Sequence, residues 1–292
     1  MKSVVYINEV LTVSLGRIAR FGLLSVLALL SACSHIDDDE RLIKMDVNVP
    51  TGDPTEVTRN VLLEDFTGQR CVNCPKGAKV IDQLQESDFG ERVIAVGIYS
   101  GPFGKNASGA LLPLSTQTGC DYYDHWQIES QPGAIINRSG HVYYSPQDWT
   151  REVMAALGGK SAVKMDLEAV LHDGNIEIAV HSQGYGDFAG KLQVWVVEDG
   201  IVALQLLPDA PEEDPAWKGG SDPGYVHNHV FRAAVNGSWG EDFAISTGEQ
   251  KSNRMQIPAA EAWNTDHLSV VAFVCNGKGV EQVVKGKVKT EK

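Results

Sequence analysis

Residues 61–75 of this 292-residue chain read VLLEDFTGQRCVNCP. The stretch opens with a short apolar run that favours a β-strand. Helical spacing of apolar residues takes over after its two cysteines, Cys71 and Cys74. The cysteine pair therefore stands between a strand and the start of a helix. A Cys-x-x-Cys pair in this setting is typical of a dithiol redox site.

The position of the cysteine pair at the start of a helix affects the reactivity of its thiols. The N-terminus of a helix carries partial positive charge and free N–H groups, which stabilise the reactive thiolate of Cys71. A spacing of three residues puts Cys74 one helical turn away, where it can form or resolve a disulfide. The same pattern also suits a structural disulfide in an exported protein or a fold that only binds. A zinc site is disfavoured because no second Cys or His pair of suitable spacing follows, so we predict no metal and no cofactor.

Strands and helices alternate downstream of the pair. Residues 93–99 form a nearly continuous apolar run, which predicts a strand covered on both faces. A helix is predicted near residues 120–128, and paired strands at 134–136 and 141–144, joined by a turn sequence. A final helix is expected before residue 158. This order predicts an α/β domain.

The pattern changes after Gly158 and Gly159. Short segments then alternate apolar and polar residues and are separated by turn sequences, which predicts an antiparallel β-sandwich-like domain. A long insertion rich in proline and acidic residues interrupts it at residues 207–224. The predicted fold class is α/β plus β, with one domain at residues 59–158 and the other at 160–292.

Residues 60–158 resemble thioredoxin. Asp65 stands six positions before Cys71, where thioredoxins carry a buried aspartate, and Pro132 precedes an apolar strand, where they carry a cis-proline. The resemblance implies that Asp65 is a proton acceptor beneath Cys74. It also implies that Pro132 has a cis peptide bond and lies in a loop that faces the sulfurs and binds extended substrate backbone.

The chain departs from the thioredoxin pattern next to the cysteines. Gln69 and Arg70 stand where thioredoxins have an aromatic residue before the first cysteine. Val72 and Asn73 are not the dipeptide of a well-known reductase or oxidase, so the motif does not reveal a redox potential. The charge of Arg70 is a candidate for lowering the pKa of Cys71 further, although an exposed arginine is also common.

The first residues of the chain predict export and lipidation. Basic residues precede an apolar run at residues 21–30, which is too short to span a bilayer comfortably. This pattern is typical of a cleavable signal peptide. Leu30-Ser31-Ala32-Cys33 resembles the bacterial lipobox, which implies removal of residues 1–32 and diacylation of Cys33. Two acyl chains give stable anchoring, so we expect a membrane as partner through this lipid.

The residues after Cys33 predict a location. Residues 33–58 are predicted to be an acidic flexible tether. Four consecutive acids at residues 37–40 resemble the export signal of surface-exposed lipoproteins of the Bacteroidetes. This resemblance implies the outer face of the outer membrane, with a periplasm-facing orientation as the alternative. Removal of residues 1–32 takes the formal charge from −13 to −15, which argues against nucleic acid as a partner.

Two further groups of residues are candidates for chemistry. Cys120 and Cys275 leave three interpretations open: a third redox cysteine, a disulfide between the two, or buried inert thiols. His227 and His229 are two positions apart on a predicted strand and face the same side. No third ligand is identifiable for them, so metal binding is disfavoured.

Together these features resemble one family. The lipobox, residues 63–75, residues 226–232 and the sequence NGSWGE at residues 236–241 make the chain similar to the 28-kDa outer-membrane-protein-related lipoproteins of Bacteroidetes. The resemblance implies a thioredoxin-like N-terminal domain and a β-rich C-terminal domain at the outer membrane. Two functions stay open. One is thiol–disulfide exchange on thiol-containing envelope proteins, and the other is binding of surface ligands with a structural disulfide.

Overall fold

Residues 57–209 and 219–290 are described by a computed structural model of the chain. Three α-helices lie within these ranges: α1 (Cys74–Gln85), α2 (Gln117–His125) and α3 (Pro146–Leu157). Short 3-10 helices cover Gly90–Arg92, Pro102–Gly104 and Thr265–His267. The strands in the same ranges are β1 (Val57–Thr58), β2 (Val61–Thr67), β3 (Val93–Tyr99), β4 (Gly133–Ile136), β5 (Lys160–Ser161), β6 (Val163–His172), β7 (Asn175–Gly184), β8 (Phe188–Glu198), β9 (Ile201–Val202), β10 (Gln205–Leu206), β11 (Ser221–Asp222), β12 (Val226–His227), β13 (Val230–Ala234), β14 (Glu241–Ile245), β15 (Gln250–Pro258), β16 (Leu268–Asn276), β17 (Gly279–Lys287) and β18 (Lys289–Thr290). None of the described helices has the length and apolar character needed to span a bilayer.

The largest sheet joins the two halves of the chain. Its strands follow the order β17-β16-β8-β13-β3-β2-β4, and β14 also pairs with β8. Strand β13 pairs antiparallel with β8 and parallel with β3, where Val230 lies opposite Gly97. The sheet therefore runs across the predicted domain boundary near residue 159. The described residues belong to one compact unit.

Burial explains the apolar sequence of the two central strands. Strands β2 and β3 run parallel, and all seven residues of each are buried. Helices α1 and α3 cover one face through a core that contains Leu63 and Trp149, while α2 covers the other through a core that contains Leu62. Successive residues of a strand point to opposite faces. Asp65 therefore points toward α1 and α3, and Glu64 points toward α2.

A second sheet has four strands in the order β15-β7-β6-β18. Its apolar side chains share one cluster with side chains of the large sheet. The cluster includes Ile178 and Val180 of β7 together with Val194 of β8 and Val270 of β16. The second half of the chain is thus β-rich, as the sequence predicts, and both sheets contain antiparallel strands.

Two predicted elements differ from the structure. Helix α1 begins at Cys74 rather than at the first cysteine, because the preceding residues form a turn in which the Cys74 N–H donates to the Cys71 carbonyl (3.3 Å). Residues 141–144 are not a strand, and they meet β4 through a single bridge between Ala134 and Tyr143. The chain turns away after β4 through two residues with φ near +50°, so the pairing does not extend.

The predicted N-terminal features fall almost entirely outside the described residues. The signal peptide at residues 1–32, Cys33 and its lipid, and residues 34–56 of the tether lie there. Val57 and Thr58, predicted to end the tether, instead form β1 and pair with β5.

Candidate functional site

Cys71 and Cys74 form a disulfide in the loop that leads from β2 into α1. Their Cα atoms are 5.4 Å apart, and Cys74 is the first residue of α1. Each cysteine is only 2% exposed, whereas Val72 between them is 45% exposed. The pair is therefore oxidised and lies just beneath the surface at a helix N-terminus.

Asp65 is buried on the face of β2 that α1 covers. Its Oδ1 atom has no hydrogen-bond partner, and Asp65 and Cys74 line the same pocket. Burial raises the pKa of Asp65 to about 8, because an ionised carboxylate is costly away from water. The carboxyl is therefore mostly protonated at neutral pH, where a proton can be exchanged with a nearby group.

Pro132 lies against α1. The Gln131–Pro132 peptide bond is cis, as predicted. The Gln131 amide donates hydrogen bonds to the carbonyls of Thr67 (2.6 Å) and Ser100 (3.2 Å), at the ends of β2 and β3. A Cβ atom placed on Gly77 in α1 would lie 3.4 Å from the Pro132 Cβ. The loop of Pro132 therefore packs against α1 within one turn of the disulfide.

Residues 204–206 bind the loop before the disulfide, a contact that the sequence did not predict. The Gln205 amide donates a hydrogen bond to the Cys71 carbonyl (2.9 Å). The Gln69 amide in turn donates to the Leu204 carbonyl (3.0 Å). Gln205 is buried, so these bonds are shielded from water. No motif surrounds Gln205, and only the fold brings it to the cysteines.

The pocket behind the disulfide is built by both halves of the chain. Its lining includes Asp65, Cys74, Tyr99, Tyr225 and His227, and we name it the Asp65 pocket. It encloses about 530 Å³ including its open mouth. Burial raises the pKa of Tyr225 to about 12, so this phenol stays protonated at neutral pH. Carboxyl, phenol and imidazole groups thus converge behind the second cysteine.

His227 and His229 both line this pocket, but they bind different partners. The Nδ1 atom of His227 lies 2.8 Å from the Tyr99 hydroxyl, and its Nε2 lies 3.2 Å from the Ala203 carbonyl. Because a carbonyl only accepts, Nε2 carries the hydrogen and Nδ1 accepts from Tyr99. Burial lowers the pKa of His227 to about 4, so the ring is neutral. His229 Nδ1 instead lies 3.0 Å from Asp199.

The remaining candidates lie apart from the disulfide or bind other groups. Within residues 57–209 and 219–290, no three His, Cys, Asp or Glu side chains are grouped closely enough to hold a metal ion. The Arg70 guanidinium donates to the Lys105 carbonyl (3.2 Å). Cys120 and Cys275 are both buried and unbonded, so the disulfide left open between them is not formed.

Fold and site together define a class: an α/β and antiparallel β protein with a buried disulfide at a helix N-terminus and an acidic residue behind it. The family model described as "Outer membrane protein Omp28" matches residues 120–292. This range is more than half of the chain, and the chain belongs to that family. The family name supports an outer-membrane location. The matched range begins after Cys74, so it does not include the disulfide.

Two solved structures similar to the chain come from Porphyromonas gingivalis. HBP35 aligns with a TM-score of 0.61 and 16% sequence identity, over 80% of this chain and 76% of that one. At this identity the likeness concerns the fold alone. A domain of the outer membrane lipoprotein Omp28 aligns with a TM-score of 0.32 and 21% identity, over 45% of this chain and 92% of that one. A comparison with curated proteins finds no match.

Proposed function

We propose that the chain exchanges thiols and disulfides with other proteins of the cell envelope, through a thioredoxin-like arrangement of Cys71, Cys74, Asp65 and Pro132. The observation that carries this proposal is the setting of Asp65. Its carboxyl is buried, lacks a hydrogen-bond partner at Oδ1 and shares a pocket with Cys74. Burying such a group costs folding free energy. Perturbed carboxyl groups of this kind cluster at sites of proton transfer.

The proposed reaction starts from the disulfide. A substrate thiolate attacks Sγ of Cys71, the bond to Cys74 breaks, and Cys74 leaves as a thiolate that takes the proton of Asp65. A second substrate thiolate attacks the substrate sulfur of the mixed disulfide and releases the Cys71 thiolate, which the helix N-terminus stabilises. The substrate loses two electrons, and the cysteine pair gains them. In the reverse direction Asp65 accepts the proton of Cys74.

Other groups position the reacting atoms in this scheme. The loop of Pro132 packs against α1 at Gly77, three residues beyond Cys74, and in this scheme it offers backbone groups to an extended substrate chain. The bond from Gln205 to the Cys71 carbonyl fixes the turn that carries the nucleophile. Val72 and Asn73 are the exposed side chains of the motif, and in this scheme a docking protein contacts them.

Lipidation and orientation belong to the same proposal. The lipobox supports diacylation of Cys33, and family membership supports the outer membrane as the place of the anchor. The acidic residues 37–40 favour the outer face. The expected partners are thus the membrane, through the lipid, and envelope proteins that carry thiols or disulfides.

One observation favours a second candidate function. Both cysteines are almost completely buried, and a buried disulfide is protected from exchange. In this alternative the disulfide is structural, and the chain is a non-enzymatic surface-binding or adhesion lipoprotein. Reduction potential separates the two candidates, because structural disulfides are much harder to reduce.

The deciding experiment equilibrates the purified chain with thiol–disulfide buffers and measures the potential of the Cys71–Cys74 pair. Exchange predicts a value between about −270 and −120 mV, and a structural bond predicts a value below about −300 mV. Insulin reduction, with dithiothreitol as the electron donor, is then compared between wild type, Cys71→Ser and the control Cys120→Ser. Exchange predicts that only Cys71→Ser loses activity. Equal activity in all three, or none in wild type, contradicts the proposal.

A further inference from the structure

Residues 236–241 read NGSWGE, and the thiol chemistry does not use them. Residues 235–240 connect β13 to β14, which begins at Glu241. The Asn236 side chain donates to the Leu192 carbonyl (2.8 Å). The amide of Gln193, which is fully buried, donates to the Gly237 carbonyl (2.8 Å). Side chains anchored in β8 and in the loop itself therefore fix this loop in one conformation.

The shape of the loop presents Trp239 to solvent. Gly237 and Gly240 have φ values of +84° and +69°, which favour glycine. The Trp239 ring packs on His125 and Tyr122, with centroids 4.4 and 5.0 Å away. Even so, 42% of Trp239 remains exposed. A firmly held loop thus displays much of an indole ring, although exposing so large an apolar surface contributes nothing to folding.

Trp239 borders an open pocket of about 1210 Å³, including its mouth, which we name the Trp239 pocket. Arg138, Lys191, Asp242 and Asn276 also line it. Its charged groups are paired: Arg138 lies 3.1 Å from Glu64, and Lys191 lies 2.7 Å from Asp242. The pocket therefore combines an aromatic wall with polar groups whose charges balance.

We propose that the Trp239 pocket binds a neutral saccharide, with a pyranose ring stacked on the Trp239 indole and its hydroxyls bonded to Lys191, Asp242 and Asn276. A pyranose has an apolar C–H face and a rim of hydroxyls, which match the two surfaces of this pocket. A wholly apolar ligand would leave the polar groups without partners. An anionic ligand would meet cations that carboxylates already neutralise.

This site is independent of thiol exchange. The Trp239 pocket lies on the α2 side of the large sheet, toward which Glu64 points, whereas the disulfide lies on the α1 side. Loss of the disulfide chemistry therefore leaves the proposed saccharide site intact, and each proposal can fail alone.

The test titrates the purified full chain, in a detergent without a sugar headgroup, with neutral oligosaccharides and follows binding by calorimetry. Separate arms use glucose, mannose or galactose oligomers, N-acetylglucosamine oligomers and a uronic-acid oligomer. We expect at least one neutral oligomer to bind and Trp239→Ala to weaken it roughly tenfold or more, as expected for loss of a stacking contact in a binding site. The control Phe103→Ala removes an aromatic side chain of similar exposure (39%) and should leave the affinity unchanged.

A second readout does not depend on the folding of Trp239→Ala. The indole N–H resonance of Trp239, assigned by its loss in Trp239→Phe, should shift when the neutral oligomer binds the wild-type chain. The separate neutral arms distinguish a hexose polymer from a glycan that contains N-acetylhexosamine. The proposal is overturned if no neutral oligomer binds or if only the uronic-acid oligomer binds. It is also overturned if a neutral oligomer binds without shifting this resonance and binds Trp239→Ala as tightly as wild type.

Discussion

Glu64 and Asp65 are neighbours on β2, yet the strand sends them to opposite faces of the sheet and into different settings. Glu64 forms an ion pair with Arg138, and neither side chain is more than 8% exposed. Asp65 has no such cation, and burial raises its pKa to about 8. One carboxylate completes a buried ion pair beneath the Trp239 pocket, while the other carboxyl keeps a proton behind the disulfide. Burial alone therefore does not assign a role to an acidic residue, because its partner decides whether it is charged.

Glu64→Gln removes the buried ion pair with Arg138 and has the largest expected loss of stability. The change leaves the Arg138 guanidinium without its counter-charge, close to the rings of Phe273 (4.7 Å) and Trp195 (5.1 Å). We expect the free energy of unfolding to fall by roughly 3–5 kcal/mol, the usual cost of removing one partner of a buried pair. Urea denaturation at pH 7 measures this loss.

The control for Glu64→Gln is an exposed ion pair. Asp148→Asn removes one of the two carboxylate partners of Arg151 on the surface of α3, the other being Glu152, and such exposed pairs contribute little in water. Its stability should stay close to that of wild type. Similar losses in the two variants would show that Glu64 acts through something other than its buried charge.

Asp65→Asn tests whether the buried carboxyl of Asp65 is neutral in the folded chain. The folded chain keeps a proton on Asp65 up to about pH 8, whereas the unfolded chain releases it near the ordinary pKa of 3.8. Asp65 therefore costs stability increasingly as pH rises from about 4 to about 8. An amide cannot ionise and avoids this cost. We expect Asp65→Asn to be more stable than wild type by about 4 kcal/mol at pH 7, with little gain near pH 4.

Urea denaturation across pH 4–8 measures this gain. The control is Asp166→Asn, which changes an exposed aspartate on β6 and should show no comparable pH dependence. A gain for Asp65→Asn that is the same at every pH would contradict a neutral buried carboxyl.

The sequence predicts the local elements that carry Glu64 and Asp65, but it does not predict their long-range partners. Apolar runs predict β2, β3 and α1, and the alternation of a strand places Glu64 and Asp65 on opposite faces. The partner of Glu64 is Arg138, which is 74 positions away and is reached only because β4 lies beside β2. Local patterns carry no information on such pairings.

The same limit applies to the candidate site. The cysteine motif and the thioredoxin resemblance predict Cys71, Cys74, Asp65 and the cis bond at Pro132. They do not predict Gln205, which reaches the cysteine turn only when the chain folds. It comes from the other half of the chain, which β13 joins to β3 in the large sheet. The predicted boundary near residue 159 concealed this contact, because it placed the two groups in separate domains.

His227→Gln has the smallest expected effect at neutral pH and tests the neutral imidazole of the Asp65 pocket. The folded chain binds a proton at His227 only near pH 4, whereas the ordinary pKa is 6.5. His227 therefore costs no stability above about pH 6.5, and it destabilises increasingly as pH falls toward 4. Glutamine offers an acceptor for the Tyr99 hydroxyl and a donor for the Ala203 carbonyl, but it does not titrate. We expect a change below about 1 kcal/mol at pH 7 and a gain of roughly 1–2 kcal/mol at pH 5.

Asp65 and His227 change the free energy of unfolding in opposite directions as pH rises, so their two variants are most informative when compared. Between about pH 4 and 6.5 the stability changes due to Asp65 and His227 nearly cancel in wild type, and above pH 6.5 only the Asp65 cost still grows. His227→Gln should therefore reveal a fall in stability as pH rises from 4, and Asp65→Asn should reveal a fall as pH drops below 6.5. His141→Gln, at an exposed position, is the control in the same urea titrations. If both variants run parallel to wild type across this range, neither group is held neutral by burial, and the pocket has no special proton chemistry to supply to Cys74.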